Sequence, residues 1–265
     1  MRVAELNLKA DDRRFIRIYP IGDTHIEKIH FDEKRFKRYI DDIIADEHGM
    51  WAFVGDAIEG RTPEASKYDA DVIKSEFMRS DYLFKVQQKL EELFSPLRSR
   101  PGVVVKGNHD EYLRWAGISN YLASISGGHY LDGEGLARVN ADLGGKSRAL
   151  LVYARHVISG GTTKGAKLTA AAKMSNLVEA DVYLAGHIHN HASDIAPRYT
   201  VPRRGKLSLI SRDVATLVAT SFLTPKVEGY VDYTGKKAYP PPDQGLVYLN
   251  VDLENMRMYR SEMFY

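Results

Sequence analysis

The chain has no cysteine. That absence excludes a disulfide framework, thiolate metal sites and a cysteine nucleophile together, so any bound metal must be held by nitrogen and oxygen. Long apolar runs are also missing. No stretch approaches the roughly 20 residues that span a bilayer, and Met1-Arg2-Val3-Ala4-Glu5 lacks a secretory signal's apolar core. A cytoplasmic protein with no membrane partner is expected. Charge of one sign is not in excess either. Lys plus Arg number 37 against 35 Asp plus Glu, a formal net charge of +2, which does not mark a general polyanion binder. Internal repeats and low-complexity tracts are absent.

What is present is a 265-residue chain with 44% hydrophobic residues, enough to bury a substantial core. One domain over 1–265 is expected, with a small lid around 111–147. Charge is unevenly placed. Arg155 to Val178 contains no acid but carries Arg155, Lys164, Lys167 and Lys173, and the residues between Asp194 and Asp213 include Arg198, Arg203, Arg204, Lys206 and Arg212.

The most informative stretch is Val103-Val104-Val105-Lys106-Gly107-Asn108-His109-Asp110. Three β-branched residues predict a buried strand, Gly107 permits a sharp exit, and three side chains able to bind metal or move protons follow. The same grammar recurs along the chain. Phe15 to Ile21 reads as a strand running into Gly22-Asp23-Thr24-His25. Phe36, Tyr39, Ile40, Ile43 and Ile44 recur at helical spacing behind Asp32 as a cap, with Gly49 marking the helix end. Met50 to Val54 then empties into Gly55-Asp56. Thr62-Pro63 opens a largely helical region to about Phe94, closed by Pro96 and Pro101. Glu111 to Gly128 reads as helical.

Farther on, Leu136–Ala141 and Arg148–Tyr153 predict a hairpin that delivers His156. A glycine-rich loop, Gly160 to Gly165, precedes an amphipathic helix from about Ala166 to Leu177. Asp181 to Ala185 predicts a strand ending in Gly186-His187-Ile188-His189-Asn190. Later strand-like pieces are Leu207–Ile210, Thr216–Ala219, Leu246–Val251 and Met256–Tyr259, with Pro240-Pro241-Pro242 in a loop. Strands alternating with helices, and polar residues at successive strand exits, predict an α/β sheet whose ligand lies beyond the carboxyl ends of its strands.

Five of the nine histidines, namely His25, His109, His156, His187 and His189, fall at these exits beside Asp23, Asp56 and Asn108. Imidazole, carboxylate and amide oxygen together suit divalent ions such as manganese, iron or zinc. The donors outnumber the needs of one ion, and Asp56 is placed to bridge two. His187 and His189, two apart, point to one side in an extended conformation.

In this order, Asp23-Thr24-His25, Gly55-Asp56, Gly107-Asn108-His109-Asp110, His156 and Gly186-His187-Ile188-His189 resemble the calcineurin-like metallophosphoesterase family. The resemblance covers Gly22 to Asn190. It implies two β-sheets sandwiched between helical layers, and two divalent metals, manganese foremost, with iron, zinc or nickel as alternatives. It implies Asp23, His25, Asp56 and His189 around one metal, and Asp56, Asn108, His156 and His187 around the other. His109 would contact the substrate phosphate, oriented by Asp110. Relatives often carry glycine after the histidine matched by His156, where this chain has Val157; His129 and His191 are alternatives for that place. His30 and His48 are expected at the surface.

The chemistry implied is hydrolysis of a phosphate ester by in-line attack of a metal-bound hydroxide, with His109 assisting the leaving oxygen. Three rivals compete with it. A metal-bearing scaffold without turnover would have lost motif residues, and this chain keeps them. A nucleotide-binding P-loop fails because Ala166 stands where lysine is required. A serine hydrolase fails because Ser159 is not in a Gly-x-Ser-x-Gly turn. The acid-free basic segments after His156 and His189, with Lys164 and Lys167 near a phosphate, point to a substrate rich in phosphate. Tyr112, Trp115 and Tyr199 are candidates to stack on bases. Phosphodiesters of DNA, RNA or nucleotides are therefore expected, with phosphomonoesters of proteins or small molecules as the alternative. Oligomeric state is not legible.

Overall fold

A computed structural model describes residues 1–61, 68–156, 163–189, 191–201, 207–224, 227, 229 and 245–263, apart from the side chains of Arg114 and Lys164. In chain order its strands and α-helices are β1 (Arg2–Lys9), β2 (Phe15–Ile21), α1 (Glu33–Ala45), β3 (Gly49–Val54), α2 (Tyr82–Phe94), β4 (Gly102–Val105), α3 (Ile118–Ser126), β5 (His129–Tyr130), β6 (Glu134–Asp142), β7 (Ser147–Arg155), α4 (Lys164–Ala172), β8 (Val182–Ala185), β9 (Ala192–Thr200), β10 (Ile210–Val218), β11 (Leu246–Asp252) and β12 (Arg257–Met263).

The strands form two mixed six-stranded sheets, ordered β1-β6-β7-β8-β10-β9 and β12-β11-β2-β3-β4-β5. Their alternation decides the layering. Ile16, Ile18, Met50, Ala52, Val54, Val103 and Val105 of one sheet meet Val139, Leu150, Val152, Val182, Leu184 and Leu217 of the other in a shared core. The intervening Tyr19, Ile21, Trp51, Phe53 and Val104 face outward instead, onto Phe36, Tyr39, Leu90, Phe94 and Leu122 of α1 to α3. On the outside of the first sheet, Tyr153, Tyr183 and Val218 pack with Ala171 and Met174 of α4 and its extension. Strands buried on both faces must be apolar throughout, as Gly49–Val54 is. The result is the expected sandwich of two sheets between helical layers.

Local chemistry starts and stops these elements. The Asp32 side chain accepts from the Arg35 amide at 3.0 Å, a cap that stabilises α1 by about 1 kcal/mol. That helix ends at Ala45, and Gly49 is the first residue of β3 rather than the helix end. The predicted hairpin is present as antiparallel β6 and β7, in register Leu136↔Tyr153. The long helix expected over 111–128 is instead a 3-10 segment, Asp110–Ala116, interrupted at Leu113, followed by α3 behind the left-handed Gly117. The second half of the 111–147 stretch, expected as a lid, contains a strand of the first sheet. Glu134–Asp142 is an inner strand, paired with β1 on one side and β7 on the other, and cannot lift without breaking both ladders. Three strands, β1, β5 and β9, have no counterpart among the expected strands. The expected Pro240-Pro241-Pro242 loop and the Thr62-Pro63 opening lie outside the described residues.

β2, β3, β4 and β5 are parallel neighbours, and β7, β8 and β10 are parallel in the other sheet. Their carboxyl ends open at the same edge of the sandwich.

Candidate metal centre

Three of the five polar strand exits, those after β2, β3 and β8, are forced into an unusual backbone. Asp23, His25, Asp56, His187 and His189 have φ values of +42°, +42°, +58°, +76° and +57°, five of the eight positive-φ non-glycine residues among those described. Each such residue costs about 1–3 kcal/mol, and such strain clusters at functional sites. The exits are stitched together: the Thr24 and His25 amides donate to the Asp56 carbonyl at 2.9 and 3.2 Å, and the His187 amide donates to Asp23 Oδ2 at 3.0 Å. Gly107 must lack a side chain, because a Cβ there would stand 2.0 Å from the Asp56 amide and 2.1 Å from its Oδ1. Gly55, at φ +97°, has the same constraint against the His156 ring, at 2.4 Å.

The seven residues expected as metal ligands are brought to one place. One ligand atom from each of Asp23, His25 and His189 lies within 4.8 Å of the others, and the same holds for Asp56, His156 and His187. Asp56 joins the two groups: its Oδ2 is 3.2 Å from His156 Nε2 and 3.8 Å from His25 Nε2. Asn108 Oδ1 lies 3.0 Å from His156 Nε2. His156 Nδ1 donates to the Val54 carbonyl at 2.6 Å. A carbonyl only accepts, so Nε2 is the nitrogen turned toward Asp56 and Asn108, the usual way of fixing a metal-binding tautomer. His129 lies on the edge strand β5 and His191 faces Glu262 at 3.6 Å, so neither takes the place of His156. His30, expected at the surface, is buried at 1% exposure, while His48 is half-exposed with its Nδ1 2.9 Å from the Lys9 carbonyl.

Charges in this pocket are strongly perturbed. Burial, reinforced by Asp56, pushes the Asp23 carboxyl up to about 8, although His156 opposes it. Burial also resists ionisation of Asp56, but hydrogen bonding and charge from His156 win and hold it well below the usual carboxylate range. His156 is correspondingly raised to about 9: burial lowers it, and the hydrogen bond and charge of Asp56 outweigh that. Burial and the Lys28 charge press His25 down to about 4, and burial lowers His187 and, further, His189. Both His25 ring nitrogens and Asp56 Oδ2 are buried, and among the described residues they have no hydrogen-bond partner beyond the ion-pair contacts of His25 Nδ1 with Glu59 and of Asp56 Oδ2 with His156. Such groups cost about 1–3 kcal/mol each when left so, and divalent cations on this nitrogen and oxygen donor set would satisfy them. The residues fit two such ions.

These are the geometry and donor set of a binuclear hydrolase, and the family comparison agrees over residues 16–191, which match calcineurin-like phosphoesterase. The chain belongs to the calcineurin-like phosphoesterase family. Among solved structures, a nuclease MPE from Pseudomonas putida is similar at 13% identity, with 92% of this chain and 87% of that one covered and a TM-score of 0.37. No curated protein matches.

Outside the metal-binding groups, this phosphoesterase departs from the sequence reading in three ways. Asp110 does not orient His109. Its Oδ1 accepts from the Ala57 and Ile58 amides at 3.0 and 3.4 Å, and its Oδ2 accepts from the Gly107 amide at 2.9 Å and Ser119 Oγ at 3.1 Å. It staples the β3 and β4 exits together. The partner of His109 is Glu59, whose carbonyl accepts from His109 Nδ1 at 3.0 Å and whose Oε1 lies 3.5 Å away. Glu59 Oε2 is also 3.3 Å from His25 Nδ1 and 2.8 Å from Lys28 Nζ. Its spacing, three residues after Asp56, is the sequence signal that points to it.

The second departure concerns Lys167, whose Nζ donates to the Ile188 carbonyl at 3.1 Å; it props the loop between His187 and His189. The Lys164 side chain lies outside the described residues. The third concerns charge. β9 leaves the site and runs back along β10, where Arg198 pairs with Arg212, six residues before the site end of β10 and roughly 20 Å from it along the strand. Arg212 is neutralised by Glu179 and Asp181, both at 3.1 Å. Arg198 and Arg212 therefore do not line the mouth, and Tyr199 goes with them. Arg203, Arg204 and Lys206 lie outside the described residues. Tyr112 and Trp115, by contrast, follow His109 directly and are 51% and 77% exposed.

Glu27 is a further residue absent from the sequence reading. Buried, it accepts from the Glu59 and Gly60 amides at 2.7 and 3.2 Å and from the Tyr82 hydroxyl at 2.6 Å, and so fixes the loop that carries Glu59.

Proposed function

We propose that this phosphoesterase hydrolyses phosphodiesters, with nucleotides or nucleic acid as the substrate class. Asp23, His25, Asp56 and His189 would hold one divalent cation, and Asp56, Asn108, His156 and His187 the other, with manganese the first choice. When bound, the pair supplies an activated water and the positive charge that stabilises a phosphoryl transition state. The protein's own contribution centres on His109. With Nδ1 committed to the Glu59 carbonyl, its ring is fixed and Nε2 is the nitrogen left to the substrate. Water oxygen forms the new bond to phosphorus, the opposite phosphorus–oxygen bond breaks, and the departing oxygen takes a proton from Nε2, a role worth ~10²–10⁴ in rate.

The observation that carries the diester preference is the pairing of the cations around the pocket. Lys28 faces Glu59 at 2.8 Å, Arg61 faces it at 3.4 Å, and Lys106 lies 2.7 Å from Glu111 and 3.1 Å from Asp132. A monoester dianion brings one more negative charge than a diester and gains most from uncommitted cations. Partly neutralised surroundings favour the singly charged ester. The test is turnover of bis-p-nitrophenyl phosphate, p-nitrophenyl phosphate and single-stranded DNA in manganese. The diester is expected to turn over at least tenfold faster than the monoester, and the reverse order would overturn the preference.

A further inference from the structure

We infer that Tyr112 and Arg61 form a leaving-group subsite that selects phosphodiesters carrying a planar aromatic group, a nucleobase above all, on the side of the ester that departs. The inference rests on the phosphodiester reading and on the place of His109 in it.

The Tyr112 amide donates to the His109 carbonyl at 3.0 Å, so a short turn pins the tyrosine beside the histidine. The two rings meet edge to face, with centroids 5.3 Å apart at 87°. The Arg61 guanidinium lies over the Tyr112 ring, 5.4 Å from its centroid, while its Nε reaches Glu59 Oε1 at 3.4 Å. Gly60 makes this approach possible. At φ +66°, it brings the loop so close that a Cβ would stand 2.6 Å from the His109 carbonyl and 3.4 Å from Tyr112 Cβ.

The arrangement has a direction. His109 attends the departing oxygen, so the group attached to that oxygen emerges on the His109 side of the pocket. The surface it meets there is a half-exposed phenol ring already stacked with a guanidinium, and a third planar group can continue that stack. Aromatic and guanidinium faces bind bases without reading their sequence. Among the described residues, the aromatic and cation contacts of the Tyr112 ring are with His109 and Arg61, and Tyr112 remains 51% exposed.

The experiment uses the manganese-loaded full chain and three dinucleoside phosphates: one with both bases, one lacking the 3′-side base and one lacking the 5′-side base. The wild type should prefer the doubly based substrate over one of the two abasic ones by roughly tenfold in kcat/KM, the size of one stacked base. In Tyr112→Leu that ratio should collapse toward one, and in Tyr112→Phe it should survive. Binding of thymidine monophosphate to wild type and Tyr112→Leu, measured by calorimetry, should weaken by a similar factor. A Tyr112→Leu variant that loses activity equally on all three substrates, or on none, would overturn the subsite. Bis-p-nitrophenyl phosphate run alongside separates the two readings. Turnover of it by the wild type with no base preference sinks the subsite alone, and no turnover of any diester sinks the phosphodiester reading and the subsite with it.

Discussion

The two ends of strands β2 and β3 carry similar residues and treat them in opposite ways. At the amino end, Arg17 lies 2.8 Å from Asp11 and 3.0 Å from Asp46, and Asp46 also accepts from the Tyr19 hydroxyl at 2.8 Å and the His48 amide at 3.0 Å. Burial works against the Arg17 charge, yet Asp46 and Asp11 raise its pKa; burial and then the hydrogen bond to Asp46 raise that of Tyr19. At the carboxyl end, Asp23, His25 and Asp56 sit on left-handed backbone, with buried nitrogens and an oxygen that have, among the described residues, no hydrogen bond beyond their ion-pair contacts with Glu59 and His156. The first arrangement is satisfied from within the chain. The second becomes satisfied only by something brought from outside, and that difference, rather than the presence of charged groups, separates a structural network from a site.

The largest effect that sharpens the contrast should come from Asp56→Ala. Removing the carboxylate shared by both groups should drop metal content, measured by elemental analysis, from two ions per chain to fewer than one, with affinity down by at least ~10². Undiminished metal would break the comparison. His109→Ala should come next, retaining metal content and melting temperature while losing ~10²–10⁴ of turnover; unchanged activity would remove His109 from the reaction. At the other end, Asp46→Ala should behave inversely. It strips Arg17 and Tyr19 of a shared acceptor and should cost about 1–3 kcal/mol in denaturant unfolding, with kcat within twofold of the wild type. A loss of turnover without a loss of stability would show that the amino end is no mere anchor.

The smallest effect is one of pH on the metal-free protein. The folded pKa of His156, about 9, lies above the ordinary 6.5, so its contribution is fully present below pH 6.5 and is lost as pH rises through about 9. The raised Asp23, about 8, acts in the same direction, because ionising it inside the fold is costly. The chelated protein should therefore melt several degrees lower at pH 9 than at pH 6.5, and added manganese, which binds the deprotonated groups, should reverse the order. A chelated protein equally stable at both values would contradict the sign.

Much of this was readable along the chain, for a physical reason. Strands buried on both faces, such as Met50–Val54 and Val103–Val105, must be continuously apolar, and their exits must then be marked by glycine and polar groups, so the blocks from Asp23 to His189 announce themselves. β1 and β9 escaped because a strand near the edge of a sheet buries one face at most; Ala4, Leu6 and Leu8 are buried while Val3 is 68% exposed, and Pro197 within β9 is a residue that disfavours a strand reading. The partner of His109 escaped for another reason. Asp110 is the neighbour in sequence, but its side chain is consumed by the amides of Ala57, Ile58 and Gly107.

The sequence by itself determined the kind of chemistry, because histidine, aspartate and asparagine at successive strand exits, with no cysteine anywhere, leave few ways to hold a metal other than hard, paired and hydrolytic. Only the tertiary structure decided who works with whom: that Glu59 rather than Asp110 holds His109, that Lys167 braces a loop, and that Arg198 and Arg212 lie far from the pocket. Composition and spacing record which groups a chain owns. The direction in which a strand runs, and which amide reaches a carboxylate first, exist only once the sheets have paired.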